Sequence, residues 1–192
     1  MNISIISTSP RKKSNSLRFA KFLQHTLKGM DFEDVSLVDF ENYDIPFFGQ
    51  GFLNKDNLSE FQQHLIGTWG KADLVFIVMP EYNWFPDAEL INAINQLGGP
   101  AFGHLFNDKT FALAGVSSGR GGKMPAIEMS TMLNKVINFT QNYSIVSPRL
   151  YESHETPTNI DENGLSTGNE VYETSVKAFV DYALKVAKRW KG

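Results

Sequence analysis

The segment DLVFIVM, residues 73–79, decides how this chain folds. Every residue after Asp73 in it is apolar, so a strand formed here must bury both of its faces. Such strands occupy the middle of parallel sheets that helices cover on both sides, whereas strands with one wet face alternate between apolar and polar residues. The segment therefore predicts a central parallel strand, with strands and helices alternating before and after it.

Four more β-rich segments accompany this central run, at residues 3–6, 35–38, 110–116 and 144–146. Between them and after the last one, apolar residues recur at three- and four-residue steps, which predicts amphipathic helices. We expect these helices over about residues 15–29, from a cap at Asp56 or Asn57, from about Asp87, around Pro125 and from Tyr172 to Trp190. The polar segment 152–168 is expected to be a loop.

Five strands that alternate with five helices predict a single α/β domain, residues 1–192, built as a three-layer sandwich. Right-handed crossovers place the strands of a five-stranded parallel sheet in the doubly wound order 2-1-3-4-5. The ligand crevice of that arrangement lies at the carboxyl ends of the first and third strands. The functional residues are therefore expected in the loops that follow the strands.

The composition excludes several classes of function. The chain has no cysteine, so it can form no disulfide, thiolate nucleophile or cysteine-bound metal. Its net charge of −3 argues against a nucleic-acid partner, and no apolar run reaches the roughly 20 residues of a membrane helix. The histidines lack metal-ligand spacing, so we expect no metal. The first residues do not read as a targeting signal, so we expect a cytoplasmic location.

The first loop, residues 8–16 (TSPRKKSNS), leads from the first strand into a helix N-terminus. That N-terminus offers oriented N–H groups and the positive end of the helix dipole. Hydroxyl, amide and guanidinium donors accompany it: Ser9, Arg11, Ser14, Asn15 and Ser16. Such donors bind phosphate, although the same residues also suit an ordinary helix cap with a solvated basic turn. Neither GxGxxG nor GxxxxGK[ST] occurs here, which disfavours a dinucleotide or nucleoside triphosphate loop.

Two further loops follow the third and fourth strands. The second loop, residues 80–87 (PEYNWFPD), is stiffened by two prolines. Its aromatic, amide and carboxylate groups suit a flat heteroaromatic ligand, although Tyr82, Trp84 and Phe85 could instead belong to the core or to an interface, an alternative at least as strong for Trp84 and Phe85. The third loop, residues 117–123 (SSGRGGK), has glycines that let the backbone approach a ligand closely.

The third loop also permits a different interpretation. Residues 115–119 fit GxSxG, the nucleophile elbow of α/β-hydrolases, with Ser117 as the nucleophile. That chemistry requires an acid and then a histidine further along the chain. His154 is the histidine that follows, but neither Glu128 nor Glu152 is well placed as the acid. A serine hydrolase is therefore the weaker alternative.

In order and spacing, the three loops resemble the NADPH-dependent FMN reductase family, which has a flavodoxin-like fold and includes quinone, chromate and azo-dye reductases. The family pattern has GSxRxxS after the first strand, PEYN after the third and SxGxxGG after the fourth. Here these stretches read TSPRKKS from Thr8, PEYN from Pro80 and SSGRGG from Ser117. The PEYN motif is the most specific of the three.

The resemblance implies a flavodoxin-like fold with a non-covalently bound FMN. The FMN phosphate would contact Ser9, Arg11, Ser14, Asn15 and Ser16. The ring would contact Pro80, Glu81, Tyr82 and Asn83 on one side and Ser117, Ser118, Gly119, Gly121 and Gly122 on the other. No catalytic side chain is implied, because the flavin carries the chemistry.

The implied function is an FMN-dependent NAD(P)H:acceptor oxidoreductase. Hydride would pass from NADPH or NADH to FMN and then to a small acceptor such as a quinone, a flavin, chromate or an azo compound. Family members usually form homodimers or homotetramers, and five aromatic residues would supply an interface or a substrate wall: Phe47, Phe48, Phe52, Trp84 and Phe85. A flavodoxin-type electron carrier is the alternative, and the net charge of −3 fits it poorly.

The sequence departs from the family pattern at a few positions. Thr8 replaces a glycine of the first loop, and Ile91 replaces the lysine of an LKN motif after PEYN. Phe85 stands where a small residue is common, and Pro86 comes one position earlier than the usual proline. These departures bear on the nicotinamide side of the site and on partner contacts more than on flavin binding.

Overall fold

Strands and helices alternate along the chain in the computed structural model, which describes all 192 residues. The strands are β1 (Ile3–Ser7), β2 (Val35–Asp39), β3 (Leu74–Pro80), β4 (Thr110–Val116), β5 (Ile145–Val146) and β6 (Tyr151–Ser153). The helices are α1 (Asn15–Lys28), α2 (Glu60–Lys71), α3 (Ala88–Leu97), α4 (Lys123–Phe139), α5 (Thr156–Asn159) and α6 (Glu170–Lys191). None of these helices has both the length and the apolar character needed to cross a membrane.

All strand pairs are parallel, and the sheet order is β2-β1-β3-β4-β5. This confirms the predicted order and the flavodoxin-like α/β class. The central run forms β3, and every residue of β3 is buried. The same holds for its two neighbours, β1 and β4.

The prediction is wrong about the fifth sheet position. The sequence predicts one short strand and a polar loop over 152–168, whereas the structure has two short strands, β5 and β6, followed by α5. β5 pairs with the start of β4 and β6 with its end. Pro148 lies between them and has no N–H to donate, which accounts for the interruption. The sheet therefore contains six strands in five positions.

Two apolar clusters cover the two faces of the sheet. One joins the sheet to α2, α3 and α4 through residues such as Leu65, Ile94 and Leu133. The other joins it to α1 and α6 through residues such as Phe19 and Phe179. These clusters form the interior of the predicted three-layer sandwich.

The predicted start of α2 is also wrong. Asp56 and Asn57 precede the helix, and Ser59 caps it. The Ser59 hydroxyl accepts a hydrogen bond from Gln62 N (3.1 Å), and the Gln62 side chain accepts one from Ser59 N (3.2 Å). This reciprocal capping box satisfies two backbone donors at once, whereas a single aspartate or asparagine cap satisfies one.

Candidate functional site

The loops that follow β1, β3 and β4 meet at one edge of the sheet. Their meeting follows from the strand register, because Pro80 lies opposite Val116 and Thr8 N donates to Val78 O (2.9 Å). A small cavity of ≈ 80 Å³ lies between them. Its lining comes from all three loops: Ser9, Arg11, Ser14, Asn15, Ser16, Pro80, Glu81, Tyr82, Val116 and Ser118.

The cavity brings together most of the residues proposed from the sequence. It contains all five from the first loop, three of the four PEYN residues and Ser118. The other third-loop candidates, Ser117, Gly119, Gly121 and Gly122, do not line it, and neither does Asn83. The sequence does not indicate Val116, because nothing distinguishes the last residue of an apolar strand.

Two serines of the first loop have different roles in the structure. The Ser14 hydroxyl accepts a hydrogen bond from Leu17 N (3.0 Å), so Ser14 is the N-cap of α1. The Ser16 hydroxyl is buried, lines the cavity and has no hydrogen-bond partner. The buried hydroxyls of Ser4, Thr110 and Ser147 also lack a partner, but Ser16 is the one of the four that lines the cavity, where a ligand can satisfy it.

Arg11 supplies the positive charge of the cavity. Its guanidinium carbon lies 4.7 Å from the centre of the Tyr82 ring, in a cation–π arrangement. The hydroxyls of Ser9 and Tyr82 are 3.3 Å apart, so the first and second loops touch here as well. The cavity thus joins a cation, an aromatic ring and several hydroxyl donors.

A tight turn shapes the second loop. Tyr82 N donates to Phe85 O (2.9 Å) and Phe85 N donates to Tyr82 O (3.1 Å). The two residues between them have positive φ, 52° at Asn83 and 73° at Trp84, as in a type I′ turn. The turn leaves Asn83 and Trp84 exposed at its tip, which is why Asn83 lies outside the cavity.

Glu81 holds the third loop against the end of β3. One of its carboxylate oxygens accepts a hydrogen bond from Gly122 N (2.6 Å). A Cβ at Gly121 would lie 2.5 Å from the other oxygen, and a Cβ at Gly115 would lie 1.7 Å from Gly122 O. The glycines are therefore required by this close packing, and Gly122 N is already engaged.

Ser117 lacks the surroundings of a catalytic nucleophile. Its hydroxyl accepts a hydrogen bond from Gly119 N (3.3 Å), and no hydrogen bond joins it to a histidine. The exposed His154 uses its backbone carbonyl to accept from the side chain of Asn159 (3.3 Å). The base that the hydrolase interpretation requires is thus not in place.

A buried carboxyl group lies behind the first and second loops. Asp87 accepts hydrogen bonds from the Thr8 hydroxyl (2.6 Å) and from Leu90 N (2.8 Å), and it is the N-cap of α3. Burial raises the pKa of Asp87 to about 7, against the opposing effect of these hydrogen bonds. The sequence indicates Asp87 only as a helix start, because its hydrogen-bond partner Thr8 is 79 residues away.

Exposed aromatic rings surround the second loop and a neighbouring segment. Trp84 and Phe85 are 71% and 58% exposed, and Phe47, Phe48 and Phe52 are between 55% and 79% exposed. The segment containing the last three is fastened to α3, because Asn92 accepts from Phe48 N (2.7 Å) and Gln96 donates to Gly51 O (2.9 Å). The exposed rings are therefore carried on anchored backbone.

Comparisons with known proteins agree with this architecture. Residues 1–147 match the family model described as NADPH-dependent FMN reductase. None of the curated proteins matches the sequence. Among solved structures, the flavoenzyme NAD(P)H:(acceptor) oxidoreductase FerB from Paracoccus denitrificans is 21% identical with a TM-score of 0.69, over 96% of this chain and 97% of that one. A flavodoxin, the WrbA-like protein from Agrobacterium tumefaciens, is 16% identical with a TM-score of 0.56, over 98% of both chains.

Proposed function

The chain belongs to the NADPH-dependent FMN reductase family and is an FMN-dependent NAD(P)H oxidoreductase; we propose that it reduces a small-molecule acceptor such as a quinone, a free flavin, chromate or an azo compound. The observation that supports the site best is the cavity at the carboxyl ends of β1, β3 and β4, with its unpartnered Ser16 hydroxyl. The loops around it would hold the cofactor, and the family's chemistry would take place there.

The first loop fits the phosphate of FMN. Ser9, Asn15 and Ser16 offer side-chain donors, and Arg11 offers a charged one. The first turn of α1 contains no acidic residue, so nothing there opposes the attraction between an anion and the helix N-terminus. Ser14 caps α1 by accepting from Leu17 N, and its hydroxyl proton remains available to donate to the phosphate.

The second and third loops fit the two sides of a flat ring. Pro80, Glu81 and Tyr82 would contact one side, with Asn83 at the tip of the turn beside them. Ser117, Ser118, Gly119, Gly121 and Gly122 would close the other side. A Cβ at Gly119 would meet no atom within 4 Å, so the backbone there leaves room for a ring. Gly122 would contribute through shape, because its N–H is bound to Glu81.

When bound, FMN supplies the electron chemistry, since a flavin accepts hydride from a nicotinamide and passes electrons on. The protein is left with binding and orientation. Backbone donors of residues 120 and 121 and the Asn83 amide would bind the polar edge of the ring. We assign no general acid or base to a side chain, and none is needed for hydride transfer itself.

The exposed rings of Trp84 and Phe85 would line the approach to the flavin. An acceptor with an aromatic or quinonoid ring gains stacking and apolar contact against them. The same surface, with Phe47, Phe48 and Phe52, would be shared with a second copy of the chain in a homodimer or homotetramer. The family is one of reductases, which favours a reductase over a flavodoxin-type electron carrier.

The visible spectrum of the purified protein tests the proposal. We expect flavin absorption bands, bleached on anaerobic addition of NADPH or NADH and restored when a quinone or an azo dye is added. A protein that stays colourless and binds no added FMN would contradict it. A coloured protein that neither nicotinamide bleaches would instead indicate a carrier. Comparing rates among quinone, flavin, chromate and azo acceptors then identifies the acceptor class.

A further inference from the structure

The Thr8–Asp87 pair links two loops of the site from inside the protein. Both residues are fully buried, and the Thr8 hydroxyl lies 2.6 Å from one Asp87 oxygen. The other Asp87 oxygen accepts from Leu90 N (2.8 Å), which fixes the carboxyl group on the first turn of α3. Thr8 is fixed in turn by its backbone N–H, which donates to Val78 O (2.9 Å). Neither residue can move without breaking one of these bonds.

The Thr8–Asp87 pair lies where it can set the separation of two loops that line the cavity. The first loop leaves β1 at Thr8, and the second loop enters α3 at Asp87. Ser9 and Tyr82 make the other side-chain hydrogen bond between these two loops, at 3.3 Å and only partly buried. The Thr8–Asp87 bond is shorter and fully enclosed, so it sets the separation of the loops more strongly.

The Thr8–Asp87 hydrogen bond can form whether Asp87 is ionised or protonated. When Asp87 is ionised, the Thr8 hydroxyl donates to it. When Asp87 is protonated, the carboxyl donates to Thr8 Oγ1, and the Thr8 proton can turn to Val78 O, 3.4 Å away. The contact therefore survives a change of charge, but the amount of negative charge behind the first loop does not stay the same.

Ionisation of this group falls within the neutral range. Burial raises the pKa of Asp87 to about 7, and Glu89 on the same helix adds to the increase. Asp87 also affects the pKa of Tyr43. Burial is the main cause that raises the Tyr43 pKa to about 12, and the charges of Glu89 and Asp87 add to it. No cation compensates Asp87, because it forms none of the ion pairs of the protein.

We propose that Thr8 and Asp87 are positioning residues for FMN: their hydrogen bond sets the separation of the first and second loops, and ionisation of Asp87 weakens binding of the cofactor phosphate. The inference rests on the proposed placement of that phosphate on the first loop. A dianionic phosphate there favours the neutral carboxyl behind the loop, and by linkage the neutral carboxyl favours the phosphate to the same extent.

The experiment measures FMN affinity by flavin fluorescence on the full chain after the flavin has been removed, between pH 6 and pH 8, for the wild type, T8S, T8V and D87N. T8V loses the hydroxyl at nearly constant volume and should bind FMN about tenfold more weakly than T8S at pH 6, where Asp87 is mostly neutral, as expected for the loss of the hydrogen bond that sets the loop separation. T8S keeps the hydroxyl and should bind like the wild type.

D87N imitates the neutral carboxyl, with an amide that can donate to Thr8 and an oxygen that can accept from Leu90 N. It should match the wild type at pH 6 and bind FMN severalfold more tightly than the wild type at pH 8. The phosphate of FMN also titrates near pH 6, but it does so in both proteins, so the ratio of the two affinities isolates Asp87.

The inference is overturned if T8V and T8S bind FMN with equal affinity. It is also overturned if the ratio of the wild-type FMN affinity to the D87N FMN affinity does not change with pH. If T8V does not fold, as judged by circular dichroism, T8A makes the same comparison with T8S, and the D87N ratio is independent of both. If either of these contradicting results is obtained while the wild type binds FMN normally, the inference fails and the proposed function is unaffected. A wild type that binds no FMN at any pH contradicts both proposals.

Discussion

Arg11 lines the cavity but takes part in none of the ion pairs of the protein. Its guanidinium is therefore free to pair with a ligand anion. We expect R11A to weaken FMN binding by about 1.5–3 kcal/mol, the usual contribution of a hydrogen bond to a charged group. Isothermal titration calorimetry with FMN measures this directly.

Lys12 provides the matched control for Arg11. It is the adjacent exposed cation and does not line the cavity. K12A should change FMN affinity little, because it alters the local charge equally but removes no proposed contact. If R11A and K12A weaken binding by the same small amount, only general electrostatic attraction is at work, and the first loop is not the phosphate site.

The raised pKa of Asp87 also has a consequence for folding. Its value of about 7 lies above the ordinary value of 3.8, so between those two pH values the folded protein binds more protons at Asp87 than the unfolded chain does. Stability contributed by this group is present at low pH and is lost as pH rises through that range. D87N should therefore gain stability relative to the wild type from pH 4 to pH 7, with a constant difference above.

Urea unfolding at fixed pH values measures that difference. N169A is a suitable companion variant, because it removes the side-chain cap of α6, an element that contributes no partner to the hydrogen bonds of Asp87. Its deficit relative to the wild type should not vary with pH in the same way. A constant difference between D87N and the wild type across this range would mean that Asp87 ionises normally in the folded protein.

Two glycines in different elements should respond to alanine in opposite ways. In β4, a Cβ at Gly115 would lie 1.7 Å from Gly122 O, a backbone atom that cannot rotate away. G115A should lower the free energy of unfolding by about 1–3 kcal/mol, as overpacking does, and should displace the third loop. In α2, a Cβ at Gly67 meets nothing within 4 Å, so G67A should raise the free energy of unfolding by about 0.5–1 kcal/mol.

Thermal and urea unfolding compare the two variants, and FMN titration follows the third loop. G67A should leave FMN affinity unchanged, whereas G115A should weaken it. Normal stability and affinity in G115A would show that the end of β4 and the third loop can separate without consequence.

The elements that could be predicted from the sequence are those with a strong local pattern. The apolar run of β3 and the spacing of apolar residues in α1 and α6 lead directly to the sheet order and the layers. The motifs of the first and second loops likewise contain their own signal, since hydroxyls, amides and cations lie side by side. Eight of the nine candidate residues in these two loops do line one cavity.

The features that escaped prediction depend on distant partners. β6 is a three-residue strand that exists because it pairs with the end of β4. The Glu81–Gly122 hydrogen bond joins residues 41 positions apart, and it explains why glycines are needed in the third loop. The Asp87 carboxyl likewise accepts its hydrogen bond from a residue of the first loop, Thr8. Patterns within one segment contain no information about such contacts.

The arrangement of exposed aromatic rings leads to an expectation for the whole protein. Five such rings lie on the second loop and on the segment held by Asn92 and Gln96, all on anchored backbone. Because apolar surface of this kind is commonly buried in an interface, we expect a mass well above 21.6 kDa in solution. Light scattering after size exclusion measures it.

Substitutions on and off this surface test the expectation. F48S combined with W84S should shift the protein towards the monomer. F139S, at a residue of α4 that is 69% exposed, is the matched control and should leave the mass unchanged. A wild type that is monomeric at micromolar concentration, or a double variant that assembles like the wild type, would contradict this use of the surface.

The interrupted outer strand at the fifth position of the sheet also affects the tendency of the protein to aggregate at high concentration. An outer strand normally offers a row of unpaired N–H and C=O groups on which another chain can add a strand, the first step towards fibrils. Here β5 has two residues and β6 has three, and Pro148 between them offers no donor. An incoming strand finds no continuous template, so this edge resists amyloid-like growth.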